Sequence, residues 1–140
     1  MSRQCFLAAF AAVAVWLPAS AQGTAPLNEM SAADIEATFF GVDMSGVTYS
    51  FGEPWRECIE PSGETVYHFM GETRIGRAWV NENAQLCFVY PADETGDTPA
   101  CFQAFKRGLD YIFYSEFNGV FIADLVTPGV ETCPRDIPVG

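Results

Sequence analysis

QLCFVYPADETGDTPACFQAFK, residues 85–106, is the stretch whose reading decides the fold. Both of its ends alternate apolar and polar side chains, and its middle is a run of Pro, Asp, Glu, Thr and Gly. Cys87 and Cys101 are equidistant from Glu94. Folding the segment symmetrically therefore sets Cys87 against Cys101, Leu86 against Phe102, Phe88 against Ala100 and Gln85 against Gln103. Apolar then meets apolar, polar meets polar, and two sulfurs meet across the strands. The segment reads as an antiparallel hairpin closed by a disulfide.

Outward from this hairpin the alternation continues, broken every ~8–12 residues by turn residues, which is the pattern of an all-β sandwich or barrel. Eight strands are expected, over 42–51, 55–60, 64–70, 74–80, 85–90, 99–106, 110–116 and 120–126. In the first, Val47, Tyr49 and Phe51 form the apolar face; in the third, Thr65, Tyr67 and Phe69 alternate with Val66, His68 and Met70. In the fourth, Ile75 and Trp79 share a face. Pro61-Ser62-Gly63, Arg107-Gly108 and Asn118-Gly119 mark turns, the last being a strong hairpin signal. Short connections force antiparallel neighbours.

Ahead of the strands, Ser31-Ala32-Ala33-Asp34 has the form of a capping box. Ile35, Phe39 and Phe40 give the helix that follows an apolar side, and Gly41 ends it. The expected fold is all-β: a small antiparallel up-and-down meander of about eight strands, barrel-like (lipocalin-like) or a sandwich, with one short N-terminal helix. Eight strands is the size at which a barrel is either filled by its own side chains or holds one small ligand. Twelve Phe in 140 residues tilt the expectation toward a filled interior. The strands are shorter than the ~9–11 residues of a tilted outer-membrane strand, which favours a soluble barrel.

Residues 1–21 read as a signal peptide: Arg3, an apolar run from Cys5 to Leu17, then Ala19-Ser20-Ala21 as the cleavage site. Residues 22–30 read as a flexible leader, and 31–140 as one disulfide-stapled β domain. Cleavage would remove Cys5 and leave Cys58, Cys87, Cys101 and Cys133, an even set suited to two disulfides in an oxidising compartment. With Cys87–Cys101 assigned, Cys58–Cys133 follows and pins the C-terminal tail to the second strand. The expected location is periplasmic or secreted.

Gly76-Arg77-Ala78-Trp79-Val80, then Leu86-Cys87-Phe88, then Ala100-Cys101-Phe102, with Gly108 and Gly119, resembles a pattern in small exported proteobacterial proteins of unknown function. Those proteins have a G-x-W-like strand followed by a Leu-Cys…Cys hairpin; here the first motif is stretched to Gly76-x-x-Trp79. The resemblance covers about residues 31–130 and implies a fold and an export route, without a catalytic residue.

Seven Lys+Arg against eighteen Asp+Glu, a net charge of −11, exclude a nucleic-acid footprint and disfavour an anionic membrane surface. His68, the one histidine, lacks the nucleophile and orienting acid of a hydrolase, and reads as a satisfied, partly buried side chain. Asp93, Glu94 and Asp97 cluster in a hairpin loop without calcium-loop spacing and read as a solvated tip. The cysteine spacing fits no zinc site, and no cofactor motif is present.

Arg56, Arg74 and Arg77 concentrate positive charge in strands two to four. If the face of Ile75 and Trp79 points inward, Arg77 becomes a buried cation needing an anion. Arg77, Trp79, Arg74, Arg56 and His68 are thus the candidate ligand-site residues; pairing of the arginines with Glu53, Glu57, Glu60 or Glu72 is the plainer reading. The function class expected is an exported binding or inhibitor-like module for an envelope protein or a small ligand. A solid structural envelope protein is the alternative, and an enzyme is disfavoured because no acid/base pair or nucleophile motif exists. Non-reducing peptide mapping checks the frame: it should return Cys87–Cys101 and Cys58–Cys133, whereas a Cys58–Cys87 peptide would refute the register.

Overall fold

In the computed structural model, which describes residues 25–91 and 98–136, the hairpin forms with the register that symmetric folding requires. β6 (Gln85–Val89) and β7 (Ala100–Arg107) pair Gln85 with Gln103, Leu86 with Phe102, Cys87 with Cys101 and Phe88 with Ala100. Cys87 and Cys101 are disulfide-bonded, as are Cys58 and Cys133, which lie 75 residues apart. The expected signal segment and the acidic tip at Asp93, Glu94 and Asp97 lie outside the described residues.

The other strands are β2 (Val42–Thr48), β3 (Pro54–Ile59), β4 (Glu64–Phe69) and β5 (Glu72–Val80). β8 (Asp110–Ser115) and β9 (Gly119–Pro128) complete the set. Each pairs antiparallel with the next, and β9 returns to pair with β2, so β2 to β9 close an eight-stranded up-and-down barrel. Closure leaves no free edge to aggregate. Between β2 and β9 the register slips between Ser45 and Gly46, whose partners are Leu125 and Ala123. This bulge bends the pair sharply. It also brings the strands so close that a Cβ on Gly46 would stand 1.7 Å from the Ile122 carbonyl oxygen.

Inside, the alternation of each strand presents Met44, Trp55, Ile59, Leu86, Phe88, Phe102, Ala104, Phe113 and Ala123 to one core. The helix α1 (Ala32–Phe39) closes one end. Its cap is Ser31, whose hydroxyl accepts from the Asp34 amide at 3.2 Å and donates to the Asp34 carboxylate at 2.8 Å. Ile35 and Phe39 are fully buried, and the Phe39 ring meets Tyr111 at 5.1 Å and Phe113 at 5.0 Å edge-on. Upstream of the helix, part of the expected leader is held in place. Asn28–Glu29 forms β1 against Lys106 and Phe105, beyond the point where β6 stops covering β7. Met30 is buried, and its amide donates to the Ala104 carbonyl at 2.8 Å.

Alternation leaves the facing of two strands open, and the structure decides it. The first barrel strand ends at Thr48, and its inward row is Val42, Met44 and Gly46; Val47, Tyr49 and Phe51 point away, all three exposed. On β5 the inward row is Gly76, Ala78 and Val80, while Ile75 and Arg77 face solvent. The reason is crowding. A Cβ on Gly76 would stand 2.0 Å from the Val89 carbonyl oxygen and 2.7 Å from the Tyr90 ring, so only glycine passes there.

Outside the barrel, the C-terminal tail crosses β3 and β4. The Val130 amide donates to the Gly41 carbonyl and the Cys133 amide to Glu60 Oε1, both at 2.9 Å; Arg135 pairs with Glu64. Beneath it Cys58, Val66 and Cys133 form a small second core. Gly46→Ala should lower the unfolding free energy by about 1–3 kcal/mol or more, because the new methyl meets backbone rather than a movable side chain. Urea unfolding measures it; Gly52→Ala, at a turn with open space around the glycine, serves as the comparison.

Candidate functional site

Opposite the helix the barrel is open and hollow. A cavity of ≈ 1200 Å³ extends from the mouth down to Met44, Phe102 and Phe113. This overturns the expectation of a filled interior. The many aromatic residues line the wall instead of filling the centre.

The lining is a continuous belt of rings. Phe113 meets Trp55 at 6.3 Å, Trp55 meets Phe121 at 5.8 Å, and Phe121 meets Phe102 at 5.6 Å. From Phe102 the belt continues to Phe88 at 6.2 Å and Tyr90 at 6.4 Å, then to Tyr67 at 5.7 Å and Phe69 at 6.0 Å. Ring pairs at these separations support one another edge-on or stacked. Several of these contacts join strands that are not neighbours, Trp55 on β3 with Phe113 on β8 and Phe121 on β9, so the rings brace the wall and also bridge part of the interior.

One acid interrupts this wall. Glu57 stands on β3 between Trp55 and Ile59 on the inward face, only 4 % exposed. The Tyr90 hydroxyl donates to its Oε2 at 2.8 Å. The Thr65 hydroxyl contacts Oε1 and also lies 2.8 Å from the Cys58 carbonyl oxygen. A threonine hydroxyl has a single proton. If that proton goes to the carbonyl, a proton on Glu57 completes the other contact. Burial pushes the Glu57 carboxyl up to about 8, against the pull of the Thr65 and Tyr90 hydroxyls, so it is neutral at pH 7. The same burial, together with the neighbouring Glu57, raises the Tyr67 phenol.

Of the five candidate ligand-site residues, one lines this cavity. Arg74 reaches the mouth from β5 and pairs with Glu72 at 2.8 Å. Arg56 is on the outside of β3, where it forms an ion pair with Asp43 on β2. Arg77 and Trp79 lie outside as well, at a shallower depression of ≈ 680 Å³ beside α1, between Glu36, Phe40 and Val89. Trp79 is the register neighbour of Cys87 in the outward row, beside the disulfide. The three arginines therefore make no common cluster. His68 is buried on the outer face, with Nδ1 2.9 Å from Thr73 Oγ1 and a hydrogen bond to the Pro134 carbonyl of the tail. Burial and the Arg56 charge hold it below its ordinary value, which fits a neutral, satisfied side chain.

In the sequence Glu57 stands out only as an arginine partner, although Trp55, Glu57 and Ile59 alternate along one side of their strand. That pattern, an acid in an inward row, was the available signal. The mouth itself is rimmed by hairpin tips bearing Tyr49, Phe51, Met70 and Phe117, all largely exposed. Among the described residues, no group of His, Cys, Asp and Glu is placed to hold a metal, and no helix is long and apolar enough to cross a membrane. Compared with known proteins, the chain matches no family model, no curated protein and no solved structure.

Stability should carry the mark of Glu57. Its folded-state value is raised from 4.5 to about 8, so the stabilisation from proton uptake is complete below about 4.5 and is lost as pH rises toward 8. His68, with a lowered value, acts oppositely: its contribution is present above 6.5 and lost as pH falls. Urea unfolding of wild type and Glu57→Gln between pH 4.5 and 8.5 isolates the first effect. The difference should move in favour of the variant by about 1.4 kcal/mol per unit across the window; parallel curves would mean that Glu57 is ionised in the fold.

Proposed function

We propose that this protein is a binding module that carries a small, largely apolar molecule inside its barrel. The observation that carries this reading is the open cavity walled by eight aromatic side chains and closed at its far end by α1. Ligand pockets commonly measure ~300–1000 Å³ and are apolar with a few placed polar groups. Here Glu57, Tyr90 and Arg74 are those groups. A protein built only as a solid envelope component has no use for such a void, since unfilled interior volume forfeits packing energy.

Two disulfides support residence in an oxidising compartment outside the cytoplasm. Within that, we place the protein in the periplasm or the extracellular medium, in line with the signal-peptide pattern of residues 1–21. A second reading, contact with an envelope protein, is favoured by one observation: the exposed apolar tips at Tyr49, Phe51, Met70 and Phe117. Exposed apolar patches of this kind mark interaction surfaces. The two readings are compatible, because a partner docked at the rim would receive or deliver the ligand.

The test uses N-phenyl-1-naphthylamine, a neutral probe that fluoresces in apolar surroundings. Wild-type protein should bind one equivalent with micromolar affinity. Ala100→Trp, which places an indole in the cavity wall, should abolish binding while the far-ultraviolet spectrum stays native, and Phe51→Ser at the rim should leave it intact. Binding that survives Ala100→Trp unchanged, or no binding by wild type, would contradict a ligand-carrying barrel.

A further inference from the structure

An apolar cargo alone would be better served by leucine at position 57. The chain instead holds a carboxyl there, on the inward row of β3, with the hydroxyls of Tyr90 and Thr65 converging on its two oxygens. Those contacts fix its orientation. Beside it stand π faces: Tyr67 and Tyr90 lie 5.7 Å apart, and Phe88 stacks on Tyr90 at 6.4 Å. An oriented acid among aromatic faces offers a cation two attractions at once, a carboxylate and the negative faces of the rings. The net charge of −11 draws cations toward the protein and repels anions.

We infer that the cavity takes an organic cation, a primary ammonium group carried on an apolar body of about ring size, with the ammonium seated against Glu57 and the body along the aromatic belt. This rests on the reading of the cavity as a ligand site. Seating the cation releases the Glu57 proton to solvent, leaving an ammonium–carboxylate pair that Tyr90 and Thr65 complete. Other titratable or charged groups facing Glu57 across the cavity are Tyr67 from β4, Glu72 and Arg74 from β5 and Tyr90 beyond β6. Burial raises the Tyr67 phenol and keeps it neutral at pH 6–8, the Tyr90 hydroxyl donates to Glu57, and Arg74 is held toward Glu72 at the mouth. Glu57 is therefore the group whose ionisation changes over that range, and its value of about 8 sets the pH at which affinity levels off.

Isothermal titration of the disulfide-bonded protein with three matched probes tests this: phenethylammonium, 2-phenylethanol and 3-phenylpropionate. At pH 8 the ammonium should bind at least tenfold more tightly than the alcohol, and the propionate most weakly. Ammonium affinity should fall about tenfold per unit from pH 8 to 6, because one proton is released on binding, while alcohol affinity stays flat. Glu57→Gln should remove both the preference and the pH dependence and keep alcohol binding. If that variant does not fold, the wild-type pH series decides by itself. Alcohol or propionate binding as tightly as the ammonium would overturn the cation and leave the ligand cavity standing. So would failure of all three probes while N-phenyl-1-naphthylamine still binds. If that neutral probe fails as well, both readings fall.

Discussion

The antiparallel pairing of the last strand with the first makes this structure possible. A meander of eight short strands has two open edges, and each edge is a row of unpaired backbone donors and acceptors. Pairing β9 with β2 satisfies both edges and turns a twisted sheet into a wall. The closure depends on close approach at Gly46 and on the slipped register beside it, which gives the corner its bend. The two disulfides stand outside this ring. One fixes neighbouring strands β6 and β7, and the other ties the tail over β3; by loop entropy a bridge closing ~15 residues contributes about 3 kcal/mol and a longer loop somewhat more.

Once the wall is closed, its two ends diverge. At one end Ile35 and Phe39 of α1 join Leu86 and the small Ala78 and Ala104 in the core, the two alanines leaving room for the helix. Toward the other end the inward positions are aromatic, and no element covers them among the described residues. Rings that lean on one another, Trp55 on Phe113 and Phe121 and Phe102 on Phe88 and Phe121, line a cavity that opens at the mouth. The polar groups follow the same division: Glu57 and Tyr90 lie within the cavity, Arg74 at its mouth, and the Arg56–Asp43 pair and His68 on the outside.

Much of this frame was legible from residue pattern. The hairpin symmetry about Glu94 set the pairing of Cys87 with Cys101, and the turn residues marked all eight barrel strands. Facing was not legible from alternation alone: on β4 the inward row is Thr65, Tyr67 and Phe69, against an outer row that holds Val66 and His68. It stayed open on β5 and β2 as well. There the inward rows contain Gly76 and Gly46, and size is set by the approach of a neighbouring backbone rather than by hydrophobicity. Ile75 and Trp79 look like core residues in a list of hydropathies, yet they form the outer row. Hollowness was also illegible, because a phenylalanine count says how much ring surface must be covered and not whether rings meet across an axis or around it. For the same reason the arginines stand out in the sequence and Glu57 does not, since what sets Glu57 apart is its surroundings.

The central claim is that the barrel is hollow and apolar within, and xenon addresses it without assuming any ligand. A crystal structure determined under xenon pressure should show xenon inside the barrel, against Met44, Phe88, Phe102 and Phe113, since dry apolar cavities take up the gas. An interior with no xenon, the volume between Met44, Phe102 and Phe113 closed by side chains, would contradict the account.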